Sequence, residues 1–166
     1  MTETFQAYTA RLLSLSAGAD PFDILATTPR TIADRIAGRS AGDLRRAPSP
    51  GRWSVAQIIG HLADSEIVFA YRVRMILSSP GTAIQAFDQD AWSRAQRADA
   101  SDAHESLALF TAIRESMLPL LRGLNDDELE RYGMHAERGK ESLRHLLALT
   151  AGHDRNHLAQ IERQIT

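Results

Sequence analysis

The chain has 166 residues, 43% of them hydrophobic and 24% charged, the size and make-up of one domain able to bury its own core. Its formal charge of −2, without any run of lysine and arginine, gives no field that favours nucleic acid, so no nucleic-acid partner is expected. No cysteine is present, which excludes disulfides, thiolate ligands and a cysteine nucleophile and leaves histidine and carboxylate as the side chains able to hold a metal.

The first nineteen residues lack the basic start and apolar run of a signal peptide. No stretch approaches the roughly 20 apolar residues of a membrane span, so a soluble cytoplasmic protein with no membrane partner is expected. Thr4 to Leu15 carries Phe5, Tyr8, Leu12 and Leu15 at helical spacing and predicts a short leading helix, broken at Ser16-Ala17-Gly18-Ala19. Asp20-Pro21 reads as an N-cap followed by proline at the first helical position. A second restart stands at Thr28-Pro29, so the helix ending near Gly38 either begins at Pro29 or runs on from Phe22 with a kink there. Ser40 to Asp43 has capping-box spacing and opens at most one turn before a linker containing Pro48 and Pro50.

Trp53-Ser54-Val55-Ala56-Gln57-Ile58 is the clearest helix start: Ser54 caps, Gln57 reaches back, and Trp53 packs on Ile58. The helix runs to about Ser78 with Val55, Ile58, Ile59, Leu62, Phe69, Val73, Ile76 and Leu77 on one apolar face. His61, Ser65 and Arg72 border that face. Glu66 lies inside it, where an unpaired carboxylate is costly and needs a partner, a metal or water. From Ser79 to Ser101 periodicity lapses, and Phe87, Asp88, Asp90 and Trp92 mark an ordered crossover whose aromatic residues cover the core.

A further helix spans roughly Asp102 to Arg122, with Pro119 disturbing its last turn. Asn125 caps a single turn, Tyr132 to Gly139 reads as a polar loop, and Ser142 starts the last helix. No segment shows the alternation of a strand. Four principal helices, a short extra N-terminal helix and one long crossover predict an all-α helix bundle in a single domain over 1–166, its core at about 20–165.

In the last helix, His153 and His157 stand four residues apart in a segment with helical apolar spacing. Such a pair lies about 5–6 Å apart at Cβ, close enough for both rings to reach one cation. Two histidines bonded to neighbouring carbonyls, or a solvated stripe, fit the same spacing. A metal site needs a third donor, and His61 is the candidate, although a lone histidine at a helix border is also an ordinary boundary residue. Three imidazoles from two helices suit zinc, nickel, iron or cobalt and leave a coordination position open. His104, His135 and His145 read as surface residues. Arg72 fits a substrate carboxylate or a neighbouring acid. Glu66 and Asp154, both on buried faces, are candidate acceptors for a ligand N–H.

Trp53-Ser54, Ile58-Ile59-Gly60-His61-Leu62-Ala63-Asp64-Ser65, Arg72, Phe87-Asp88-Gln89-Asp90-Ala91-Trp92 and His153-x-x-x-His157-Leu158-Ala159-Gln160-Ile161 together resemble the DinB/YfiT superfamily, in consistent order from about Thr28 onward. The resemblance is nearest to its bacillithiol S-transferase-like branch. It implies a four-helix bundle of up-down-down-up connectivity, a divalent metal, usually zinc or nickel, on His61, His153 and His157, and a homodimer. It also implies a small-molecule substrate and a low-molecular-weight thiol as cosubstrate. With one coordination position open, Arg72 and Glu66 are the candidates to orient the substrate's polar ends in thiol transfer, and Glu66 or Asp154 to accept the proton in hydrolysis. Members have also been described as metal-dependent hydrolases, and a non-enzymatic binding bundle is a third reading. Two positions depart from close relatives: Asn156 and Glu66 stand where those relatives often carry histidines.

Overall fold

The computed structural model describes residues 4–165. Among the described residues there are eight α-helices: α1 (Phe5–Ser16), α2 (Pro21–Ile36), α3 (Ala41–Arg45), α4 (Val55–Ser78), α5 (Gln89–Ala95), α6 (Ala103–Arg122), α7 (Asp126–Leu129) and α8 (Leu143–Ile165). Three short strands join them: β1 (Ala83–Ile84), β2 (Tyr132–His135) and β3 (Gly139–Ser142).

Helix starts follow side-chain chemistry. Asp20 accepts from the Phe22 N–H at 2.9 Å with Pro21 at the first turn. Ser54 and Gln57 complete the capping box of α4 at 3.3 and 3.0 Å. At Pro29 the chain does not restart: α2 is one helix with the proline inside it. Pro119 likewise sits within α6, which continues to Arg122. Phe5 was expected on the buried face of α1, but its side chain lies outside the described residues; Leu12 of that helix is buried.

Contacts between α2, α4, α6 and α8 fix the connectivity. Gly60, Glu66 and Arg74 of α4 meet Ser106, Arg114 and Met117 of α6, so the two run parallel. Trp53 and His61 meet Gln164 and His153, so α4 and α8 run antiparallel. Leu25 meets the Arg114 that holds Asp154, and Arg35 meets Glu162, which makes α2 and α8 parallel. The result is an up-down-down-up four-helix bundle. Parallel neighbours α4 and α6 need the long crossover that residues 79–102 supply.

Two expectations are corrected. The segment Tyr132 to Gly139 is a β-hairpin: β2 pairs antiparallel with β3 and parallel with β1, in the order β1-β2-β3. Short strands with a glycine turn at Gly139 (φ 75°) carry too little alternation to show in sequence. The hairpin packs its Gly133 against Ile76 and Ile84, where a Cβ would lie 2.9 Å from Ile84 Cγ2. The second correction is His135, expected at the surface but only 3% exposed, because this packing turns β2 inward.

The core forms two apolar groups along the bundle. One joins Ile32, Ile58, Ile59, Leu62, Phe110 and Ile161; the other joins Leu25, Phe69, Val73, Met117, Leu121 and Leu147. Glu66, Arg114 and Asp154 are each 1% exposed, so a charged cluster is sealed inside the bundle.

Candidate metal centre

His61 projects from α4, and His153 and His157 from successive turns of α8. His61 Nε2 lies 3.0 Å from His153 Nε2, and His157 Nε2 is also 3.0 Å from His153 Nε2. The ligand-capable atoms of all three lie within 4.8 Å of one another. Nitrogens converging at that spacing fit one cation at the roughly 2.0–2.1 Å of a metal–imidazole bond. The structure thus brings together the three histidines singled out in sequence.

Electrostatics keep these rings in the form a metal requires. Burial pulls His61 down to about 3, with the neighbouring His157 adding to the effect, and pulls His157 down to about 4. Burial holds His153 well below the ordinary histidine value, with His157 and His61 reinforcing it. All three are therefore neutral at physiological pH and able to donate a lone pair. Gln160, one turn after His157, places Oε1 3.0 Å from His157 Nδ1. That bond puts the ring proton on Nδ1 and leaves Nε2 free for the cation. Nothing in the sequence singled out Gln160 for this role beyond its i+3 position.

Aromatic residues enclose the triad. Trp53 packs 5.0 Å from the His61 ring, and Phe87 stacks on it at 6.4 Å with Trp92 edge-on behind. Phe87 was expected to cover the core; it lies against a candidate ligand instead, because the crossover returns over the end of α4.

The remaining predicted residues divide. Glu66 and Asp154 both face Arg114, not the histidines. Arg114 Nε and Nη2 donate to the two oxygens of Glu66 at 2.9 and 2.8 Å, and Nη1 and Nη2 donate to those of Asp154 at 2.7 and 3.3 Å. A fifth bond reaches the Leu25 carbonyl at 2.9 Å. Burial pushes the Glu66 carboxyl up, opposed by Arg114, while Arg114 is held above the ordinary arginine value because Asp154 and Glu66 outweigh its burial. This is the partner that Glu66 needed, and sequence reasoning missed it. The position of Arg114 one turn after Phe110 on an apolar face is the only sequence signal for it.

Arg72 lines a cavity of about 480 Å³ that also includes His61, His153, Phe87 and His135. Its Nη2 donates to the Gln85 carbonyl. His104 is exposed and His145 half-buried. Asn156, the other position that departs from relatives, accepts from Arg11 Nη1 at 2.8 Å and fastens α1 to α8. Among the described residues no helix is long and apolar enough to cross a membrane.

Comparison with known proteins agrees with the fold, and the relatives it finds are named as metal-dependent. A Bacillus subtilis (strain 168) protein named "Putative metal-dependent hydrolase YfiT" is 29% identical over 140 residues, 83% of this chain and 78% of its own. "Putative metal-dependent hydrolase OB0782" of Oceanobacillus iheyensis is 30% identical over 134 residues, 80% of this chain and 77% of its own. The solved structure of B. subtilis YfiT, described as a probable metal-dependent hydrolase with an unusual four-helix bundle topology, superposes with a TM-score of 0.81 at 27% identity. It covers 87% of this chain and 83% of that one. With the DinB superfamily model matching residues 24–161, this chain belongs to the DinB superfamily.

Proposed function

We propose that this protein is a divalent-metal-dependent enzyme that transfers a low-molecular-weight thiol to an electrophilic small molecule, with zinc or nickel held by His61, His153 and His157. A divalent ion in that position supplies Lewis acidity, lowering the pKa of a thiol or water on its open side. The chain's own residues do the rest: Gln160 fixes the His157 tautomer, Trp53 and Phe87 exclude water around His61, and the cavity beside the triad receives the electrophile. The sulfur forms a bond to the electrophilic carbon as that carbon's bond to its leaving group breaks. The electron pair departs with the leaving group and the thiol proton passes to solvent.

One observation carries the choice of thiol over water. Both oxygens of Glu66 and of Asp154 are engaged by Arg114, so the two carboxylates that border the cavity are aimed at that guanidinium and not at the triad as positioned bases. A bound cation ionises water and a thiol alike; hydrolysis further draws on a positioned acid or base to pass a proton to the leaving group, whereas a thiolate, itself a strong nucleophile, attacks without one. The relatives' names support hydrolysis as the second reading, with Glu66 or Asp154 accepting the proton once released from Arg114. The same reading takes the protein as a homodimer, which sedimentation velocity checks.

The experiment begins with metal content per chain, without added metal or an affinity tag, in wild type and His157→Ala. About one divalent ion per chain, lost in the variant, is expected. Zinc- and nickel-loaded protein is then assayed with cysteine, glutathione and bacillithiol against 1-chloro-2,4-dinitrobenzene, and separately with p-nitrophenyl esters. Metal-dependent thioether formation supports the proposal. Ester hydrolysis alone replaces it with the second reading, and failure to take up any metal removes both.

A further inference from the structure

The cavity extends well past the histidines. Arg72 lies three turns beyond His61 on α4, a rise of about 16 Å along the helix at 1.5 Å per residue. Leu62 and Phe69 of α4 and Leu146 and Leu149 of α8 give the wall between triad and arginine its apolar side, and Ser65, Glu66, Thr150 and Asp154 its polar one.

At the far end sits a cation without a counter-ion. Arg72 is 9% exposed, and among the described residues it forms no ion pair. Its Nη2 is taken by the Gln85 carbonyl, and its buried Nε has no acceptor. Glu141, the acid whose charge reaches Arg72, is itself held by Arg138 through both its oxygens. Burial draws Arg72 down to about 10, with Arg138 adding to the effect, so it stays charged at neutral pH. His135 lines the same cavity from β2. Its Nδ1 accepts from the Glu137 N–H at 3.2 Å, which leaves the ring proton on Nε2, another buried donor with no acceptor. Buried cations are ordinarily paired, and two unsatisfied donors in one cavity wall call for an acceptor supplied from outside the chain.

We propose that this end of the cavity binds a carboxylate of the substrate, with Arg72 as its counter-ion and His135 as the neighbouring donor. The substrate class is then an organic acid with an apolar alkyl or aryl body, its electrophilic carbon several bonds from the carboxylate and next to the histidine triad. The proposal rests on the thiol-transfer reading for the reacting end only; the carboxylate site stands on the cavity itself.

Calorimetric titration with ω-phenylalkanoates of increasing chain length, each paired with its primary amide, tests it on wild type, Arg72→Gln and His157→Ala. At the chain length that fits, wild type prefers acid over amide by about tenfold or more. Arg72→Gln abolishes that preference, Arg72→Lys keeps part of it, and metal-free His157→Ala retains it. Equal binding of acid and amide by wild type across the series overturns the proposal. So does a preference that survives Arg72→Gln but vanishes in His157→Ala, since the carboxylate then binds at the metal. Because binding is read without turnover, the two readings fail separately. An intact acid preference without thiol transfer removes only the proposed reaction, whereas transfer without any acid preference removes only this site.

Discussion

At the scale of single residues, Arg114 shows how far the interior depends on charge. Its guanidinium satisfies two carboxylates from two other helices, each 1% exposed. Removing it leaves both acids buried without a partner, which typically costs about 3–5 kcal/mol. Arg114→Met is therefore expected to lose that much in urea unfolding, and adding Glu66→Leu and Asp154→Leu to recover much of it. A triple variant no better than the single one would refute this account. The histidines give a second prediction, for metal-free protein. Their folded values lie below the ordinary 6.5, so between about pH 6.5 and 4 the unfolded chain binds more protons than the native one. Stability should be level above pH 6.5 and fall steadily as the pH drops below it, as denaturant midpoints across that range would show. His153 and His157 were legible because i, i+4 spacing on a helix fixes their juxtaposition. Arg114 was not, because a charged residue on a helix is ordinarily exposed and its burial is decided by acids far away in sequence.

At the scale of elements, the site depends on how closely α1 approaches α8. A Cβ on Gly152 would stand 1.9 Å from the Leu12 carbonyl oxygen, a backbone atom that cannot swing aside. Arg155 donates to the Leu15 carbonyl at 2.7 Å and Ser16 to the Ala148 carbonyl at 3.0 Å, so α1 is held along its length. Gly152→Ala should push α1 off α8 and destabilise the fold by about 1–3 kcal/mol, as overpacking does. Tyr8, Thr9 and Leu12 of α1 line the cavity, so faster amide exchange confined to α1 and the cavity walls is the specific readout. Unchanged exchange in α1 would count against it. The helices themselves could be read from their caps and apolar periodicity, down to Ser54 and Gln57. The hairpin could not: four-residue strands reveal themselves through partners, and β2 finds one of its two in β1, some fifty residues earlier.

At the scale of the whole molecule, the three candidate ligands join α4 to α8, segments separated by most of the second half of the chain. An unfolded chain holds His153 and His157 near each other but not His61, so a cation on all three binds the native state far better than the denatured one. Linkage then raises stability by about 4 kcal/mol at a free metal concentration one thousand times the Kd. For a domain of this length each kcal/mol moves Tm by about 2–4 °C, so saturating zinc or nickel should raise it by roughly 8–16 °C. His61→Ala leaves only the local pair, which an unfolded helix segment can also present, and should abolish most of the shift. The comparison separates a bridging site from an incidental two-histidine clip: equal shifts in wild type and His61→Ala would mean that α4 contributes no ligand. The bundle would then be held together by its core and the Arg114 cluster without help from the metal.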